Sequence, residues 1–78
     1  EVEDLAREYI SRGVVAEGQI DDCRHVAAAT IGRADAIVSW NFRHIVKLDK
    51  IKGYNQANLL NGYGILTILT PKEVMIDE

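Results

Sequence analysis

Asp22 and His25 stand three residues apart, a spacing that puts both side chains on one face of a helix. Ser39, Trp40, Asn41 and Phe42 follow a short apolar run, at what would be the carboxyl end of a β-strand, where open α/β sheets bind their ligands. A helix whose N-terminal half lies beside that strand end would bring Asp22, Ser39 and Asn41 together. Mg²⁺ and Mn²⁺ prefer such oxygen ligands and keep waters that can attack a phosphate. Each residue also has a plainer role. Asp21 or Asp22 suits the first turn of a helix through the helix dipole. His25 reads more readily as a core or supporting histidine bonded to backbone than as a ligand, and His44 either contacts phosphate or merely starts a helix. Cys23, His25 and His44 match no zinc-ligand spacing. Gly62-Tyr63-Gly64 precedes a strand, so it is not a phosphate-binding turn.

The elements that must position these residues follow from periodicity. Leu5, Ala6, Tyr9 and Ile10 recur at helical spacing and Gly13 stops the pattern, which predicts a helix over 2–12. Val14 and Val15 suggest a buried connection. A second helix is expected over 18–31, with Ile20, Cys23, Ala27, Thr30 and Ile31 as its apolar stripe and Gly32 in the left-handed cap position. The small residues Ala27, Ala28 and Ala29 let it pack closely, and it should be central. A strand over 35–40 reads as covered on both faces. A helix over 48–61, interrupted by Gly53, leads to a strand over 65–69 closed by Pro71, and 71–74 reads as a helical turn.

Strand, helix, strand is the βαβ unit, so the class is α/β with parallel strands. Two strands do not make a stable sheet. The remainder is expected either from a larger domain, of which this is the C-terminal portion, or from another copy.

At 78 residues the chain is one small domain at most, and one that buries only roughly 60% of its unfolded surface. Its single cysteine cannot close an intramolecular disulfide; burial inside the helical pattern is its expected state. With no signal peptide or membrane-spanning run in the sequence, a reducing, cytoplasmic setting is expected. The net charge of −3 argues against generic nucleic-acid binding, yet from Arg24 to Lys52 six basic residues face only Asp35 and Asp49. Arg43, Lys47 and Lys50 approximate one face if their helix begins early. With His44, Arg43 and Lys47 are the candidate RNA contacts.

Three motifs in order, D-x-x-H-x-A-x-A at Asp22 to Ala29, A-D-x-x-V-S-W-N-F-x-H-I at Ala34 to Ile45, and T-P-K-E-V at Thr70 to Val74, resemble the C-terminal half of PIN-domain ribonucleases, including VapC-like toxin subunits of toxin–antitoxin pairs. The resemblance implies an α/β/α sandwich around a parallel sheet, an acidic cluster holding Mg²⁺ or Mn²⁺, and hydrolysis of RNA phosphodiesters. It implies Asp22 as the helix-borne acidic ligand, Asn41 at a strand-end position often occupied by aspartate, and Ser39 as the hydroxyl beside it. An antitoxin partner and a homodimer belong to the same implication. The family's first acidic residue, at the end of an N-terminal strand, and another on an intervening helix have no counterpart here. Residues 1–78 are therefore expected to be the C-terminal portion of one PIN-like domain, binding metal weakly and cleaving little alone. The alternative is a catalytically degenerate α/β protein-interaction module.

Overall fold

The computed structural model describes residues 1–74. Helix α1 (Val2–Ser11) is followed by a 3₁₀ turn (Glu17–Gln19), α2 (Ile20–Ile31), β1 (Ala36–Val38), α3 (Leu48–Leu60), β2 (Thr67–Leu69) and the single turn α4 (Pro71–Val74). The strands are parallel, with Ala36 opposite Thr67, Ile37 opposite Ile68 and Val38 opposite Leu69. The α/β class and the strand–helix–strand order are thus present. Among the described residues no helix is long and apolar enough to cross a membrane.

All three long helices end alike. A residue at positive φ follows each C-cap: Gly13 (φ 76°), Arg33 (φ 58°) and Gly62 (φ 85°). In each, paired backbone bonds reach back into the last turn: Gly13 N to Ile10 O and Val14 N to Tyr9 O, Arg33 N to Thr30 O and Ala34 N to Ala29 O, Gly62 N to Leu59 O and Tyr63 N to Asn58 O. This is the Schellman arrangement, which satisfies carbonyls that the helix cannot. The expected left-handed residue of α2, Gly32, is instead right-handed at φ −74°. Its lack of a side chain matters for a different reason, since a Cβ there would lie 3.0 Å from the carbonyl oxygen of Ala28.

The core lies between α1, α2 and α3 and runs under the sheet. Leu5, Ala6 and Tyr9 of α1 meet Cys23, Val26 and Ala27 of α2, with Val14 and Val15 buried in the connection as expected. Each fully buried large side chain in such a cluster contributes roughly 1.5 to 3 kcal/mol. Tyr9 and Tyr54 meet edge to face, ring centroids 4.9 Å apart. Gly53 lets α3 approach the connection, since a Cβ there would lie 3.0 Å from Val14 Cγ1. Around the outside, Arg24 grips Glu3 through two bonds of 2.9 and 3.1 Å and joins Asp21 at 2.9 Å. Such exposed pairs contribute little individually, about 0 to 1 kcal/mol.

α3 buries a polar residue and exposes apolar ones. Asn58 is fully enclosed while Leu48, Leu59 and Leu60 are exposed. The carboxamide of Asn58 accepts from the Tyr9 hydroxyl at 2.5 Å and donates to Thr30 Oγ1 at 3.1 Å, tying the three helices together. Thr30 in turn donates to Val26 O.

The strands are shorter than the expected 35–40 and 65–69. β1 is not covered on both faces: Val38 is half exposed, and Trp40 and Phe42 beyond it are exposed. A two-stranded sheet has one neighbour per strand, so an apolar run that could fill a central strand here lies open. The helices depart from expectation only at their ends, where 18–31 divides into a 3₁₀ turn and α2.

Candidate functional site

β1 gives way to a turn organised by its own polar side chains. The ladder extends one residue past the strand, Ser39 N donating to Leu69 O at 3.0 Å. Ser39 Oγ then accepts from the amide of Asn41 at 2.9 Å, and Asn41 Oδ1 accepts from the amide of His44 at 2.9 Å. The Asn41 carbonyl receives the amides of Ile45 and Val46 at 3.2 and 2.8 Å. Asparagine and serine favour such side-chain-to-backbone turns. Two ties fix the turn to the body of the protein. Ile45 is buried, and the Tyr54 hydroxyl donates to His44 O at 2.7 Å.

Asp22 meets this turn from α2. Its Oδ2 lies 3.6 Å from His44 Nδ1, and both side chains are about one quarter exposed, at 25% and 26%. The contact is longer than a direct hydrogen bond and becomes an ion pair when His44 is protonated. Asp22 also acts on groups behind it. Burial first and the Asp22 charge second push the Cys23 thiol up to about 11. Burial, then Cys23 and Asp22, raise the Tyr54 phenol well above its ordinary range.

The chain therefore brings Asp22, His44, Asn41 and Ser39 to one region: Asp22 against His44, His44 against Asn41, Asn41 against Ser39. The pairing of Asp22 with His44 is absent from the sequence reading, which treats His44 as a phosphate contact or helix start. His25 is exposed, not a core histidine, and lines a shallow groove of about 360 Å³ with Ala28, Ile37, Val38, Ser39 and Ile45. Cys23 is buried, as expected.

Arg43 and Lys47 are exposed and, among the described residues, form no ion pair. They do not share a helical face with Lys50, because α3 starts only at Leu48 and Arg43 lies in the preceding turn. Lys50 is also occupied, donating to Val14 O at 2.8 Å. Helical periodicity alone cannot place a residue that lies before the helix begins.

The donor chemistry of Asp22 and Asn41 suits a hard cation in part. One carboxylate is available, and Asn41 offers a neutral oxygen already accepting from the His44 amide. Among the described residues no three His, Cys, Asp or Glu side chains gather into a metal-binding group. Comparison with protein-family models, curated proteins and solved structures returned no match.

Proposed function

We propose that this chain carries part of the site of a PIN-like, metal-dependent endoribonuclease, and that the whole site hydrolyses RNA phosphodiesters. One observation carries the reading: the Asp22 carboxylate on α2 lies 3.6 Å from His44, within the polar turn that Ser39 and Asn41 build at the end of β1. The motif resemblance leads one to expect a helix-borne acid beside a hydroxyl and an amide at a strand's carboxyl end; here Asp22 reaches that turn through His44, whose amide Asn41 holds.

In this reading Asp22 is the anionic ligand for Mg²⁺ or Mn²⁺ and Asn41 a neutral one. Ser39 orients the phosphate, while Arg43, His44 and Lys47 bind the RNA backbone. When bound, the cation supplies Lewis-acid polarisation and a water of lowered pKa. With a single carboxylate from this chain, further acids must come from additional polypeptide, and the 78 residues by themselves bind the cation weakly. An antitoxin-like protein partner and self-association belong to the same proposal.

Mn²⁺ titration and cleavage of a labelled RNA test it. Full-length protein should cleave with Mn²⁺, stop in EDTA and lose activity with Asp22→Asn, whereas the 78-residue chain should show little cleavage. Cleavage that persists in EDTA, or robust cleavage by the 78-residue chain that Asp22→Asn abolishes, would overturn it.

A second reading, a catalytically degenerate interaction module, draws on the exposed Val38, Trp40 and Phe42. The polypeptide encoded before Glu1 discriminates the two. An apolar strand ending in aspartate, followed by a helical glutamate, favours the enzyme.

A further inference from the structure

We infer that Asn55 and Glu73 guard the outer edge of β2 against pairing with a second copy of this chain, a role separate from the ribonuclease reading above. Leu69 O accepts from Ser39 N, so the backbone groups of Leu69 face β1. Alternation along the strand turns those of Ile68 away from β1, and with them those of Leu66 and Thr70 on either side. An edge of unpaired N–H and C=O groups is a template for another chain. Here side chains occupy it at both ends. The Asn55 carboxamide accepts from Leu66 N at 2.7 Å and donates to Leu66 O at 3.0 Å. Beyond β2, Glu73 Oε1 accepts from Thr70 N at 2.6 Å and Glu73 N donates to Thr70 Oγ1 at 3.2 Å, the reciprocal capping box of α4. Thr70 O also receives the Glu73 amide, at 3.1 Å. Of the three residues on this edge, Ile68 alone keeps its backbone groups unoccupied among the described residues.

The strand has no protection of its own. Ile65-Leu66-Thr67-Ile68-Leu69-Thr70 carries no charge, and Ile65, Thr67, Ile68 and Thr70 are β-branched. Short uncharged segments of high β-propensity are the ones that pair edge to edge and stack into fibrils. A lysine or proline within the strand would blunt the edge, but the proline comes only after it, at Pro71. β1 is not closed in this way. The backbone groups of Ala36 and Val38 face away from β2, and among the described residues nothing bonds to them. The sheet thus has one open edge and one guarded edge. Pairing through a single open edge stops at two copies, because the pair then presents only guarded edges; with both edges open it continues without limit.

Light scattering and thioflavin T fluorescence, read on the 78-residue chain at rising concentration, test the guard, with circular dichroism to check folding. The wild-type chain should not exceed two copies. Asn55→Ala should grow roughly tenfold or more in mass and give a thioflavin T signal. Asn55→Asp separates the guard from stability. It loses much of the same stability, yet it keeps an acceptor on Leu66 N and sets a charge at the edge, so it should stay at two copies or fewer. Growth of Asn55→Asp equal to that of Asn55→Ala overturns the guard, because unfolding and not an open edge then drives association. So does a folded Asn55→Ala protein that stays at two copies, or a wild-type chain that assembles further with a thioflavin T signal. Should Asn55→Ala fail to fold, Glu73→Ala decides. The Glu73 side chain is exposed, and its loss frees Thr70 N. Folded Glu73→Ala should exceed two copies where Glu73→Gln, which retains an acceptor, does not; identical masses for the two overturn the guard.

Discussion

Asn55 holds Leu66 by both of that residue's backbone groups: its Nδ2 donates to Leu66 O at 3.0 Å, and its Oδ1 accepts from Leu66 N at 2.7 Å. A side-chain amide here takes the place that a neighbouring strand's peptide would fill. It continues the pairing of the chain immediately before β2, where the sheet itself has not yet begun. Leu66 is buried, at 2% exposure, so neither group has water as an alternative. Asn55→Ala should therefore destabilise the fold by roughly 2 to 4 kcal/mol, from two unsatisfied buried groups. Asn55→Asp keeps the acceptor for Leu66 N but sets a carboxylate oxygen against Leu66 O, so it should recover little of the loss. Urea midpoints with unchanged slopes would bear this out; an Asn55→Ala protein as stable as wild type would refute it.

The contact between Gly53 and Val14 makes a second prediction. A methyl group at residue 53 meets Val14 Cγ1 at 3.0 Å and Cγ2 at 3.1 Å, and Val14 is itself buried. Overpacking of this kind costs about 1 to 3 kcal/mol, against about 1 kcal/mol gained in helix propensity. Gly53→Ala should be net destabilising. Combined with Val14→Ala, its penalty should vanish, giving a favourable coupling of about 1 kcal/mol in a double-mutant cycle. Strict additivity would show that the two positions do not compete for space.

Arg33 occupies a left-handed position that glycine holds at the ends of α1 and α3. For a residue with a Cβ this conformation costs about 1 to 2 kcal/mol, part of which glycine returns through its freer unfolded chain. Arg33→Gly should thus stabilise by roughly 0.5 to 1 kcal/mol, read as a melting temperature several degrees higher. A lower melting temperature would mean that the Arg33 side chain contributes more than its backbone costs.

Alkaline pH should loosen the fold through Cys23 and Tyr9. Burial raises the thiol from 9.0 to about 11 and the Tyr9 phenol from 10.0 to about 12. Both groups are therefore more easily ionised in the unfolded chain. Their contribution is complete below pH 9 and is lost as the pH climbs from 9 toward 12. Denaturation midpoints measured across pH 7 to 11 should fall above pH 9, and Cys23→Ala should flatten the early part of that decline. At pH 8 the thiol should react slowly with a disulfide reagent unless the protein is unfolded.

α1 and α2 were legible in the sequence because each pairs an apolar period with a stop, whereas α3, which buries Asn58 and exposes Leu48, Leu59 and Leu60, was legible from its place between two strands and the glycines that end it. The stop of α2 was one residue off, since Gly32 drew attention from Arg33 and nothing local reveals which of the two turns left-handed. The strands were legible as apolar runs but not in extent: pairing, not composition, ends β1 at Val38 and starts β2 at Thr67. At the candidate site, Asp22, Ser39 and Asn41 could be named from spacing. The meeting of Asp22 with His44 is a contact between a helix and a turn 22 residues away, which no local pattern encodes. Asn55 and Asn58 were silent for another reason. A carboxamide inside a helix reads as an ordinary exposed polar residue, although asparagine's poor helix propensity and the three-residue spacing were a usable signal.

That spacing extends one step further. Asn55, Asn58 and Asn61 recur every three residues along α3 and into its cap, each fastened to a different neighbour: Leu66 just before β2, Tyr9 of α1 with Thr30 of α2, and Glu8 of α1 at 3.3 Å. Sliding or rotating α3 breaks the attachments of Asn55 and Asn58 together, while the exposed contact of Asn61 with Glu8 at the cap adds to them. The amide protons of α1, α3 and β2 are consequently coupled to a single opening, and in native-state hydrogen exchange they should report one shared free energy instead of a graded series.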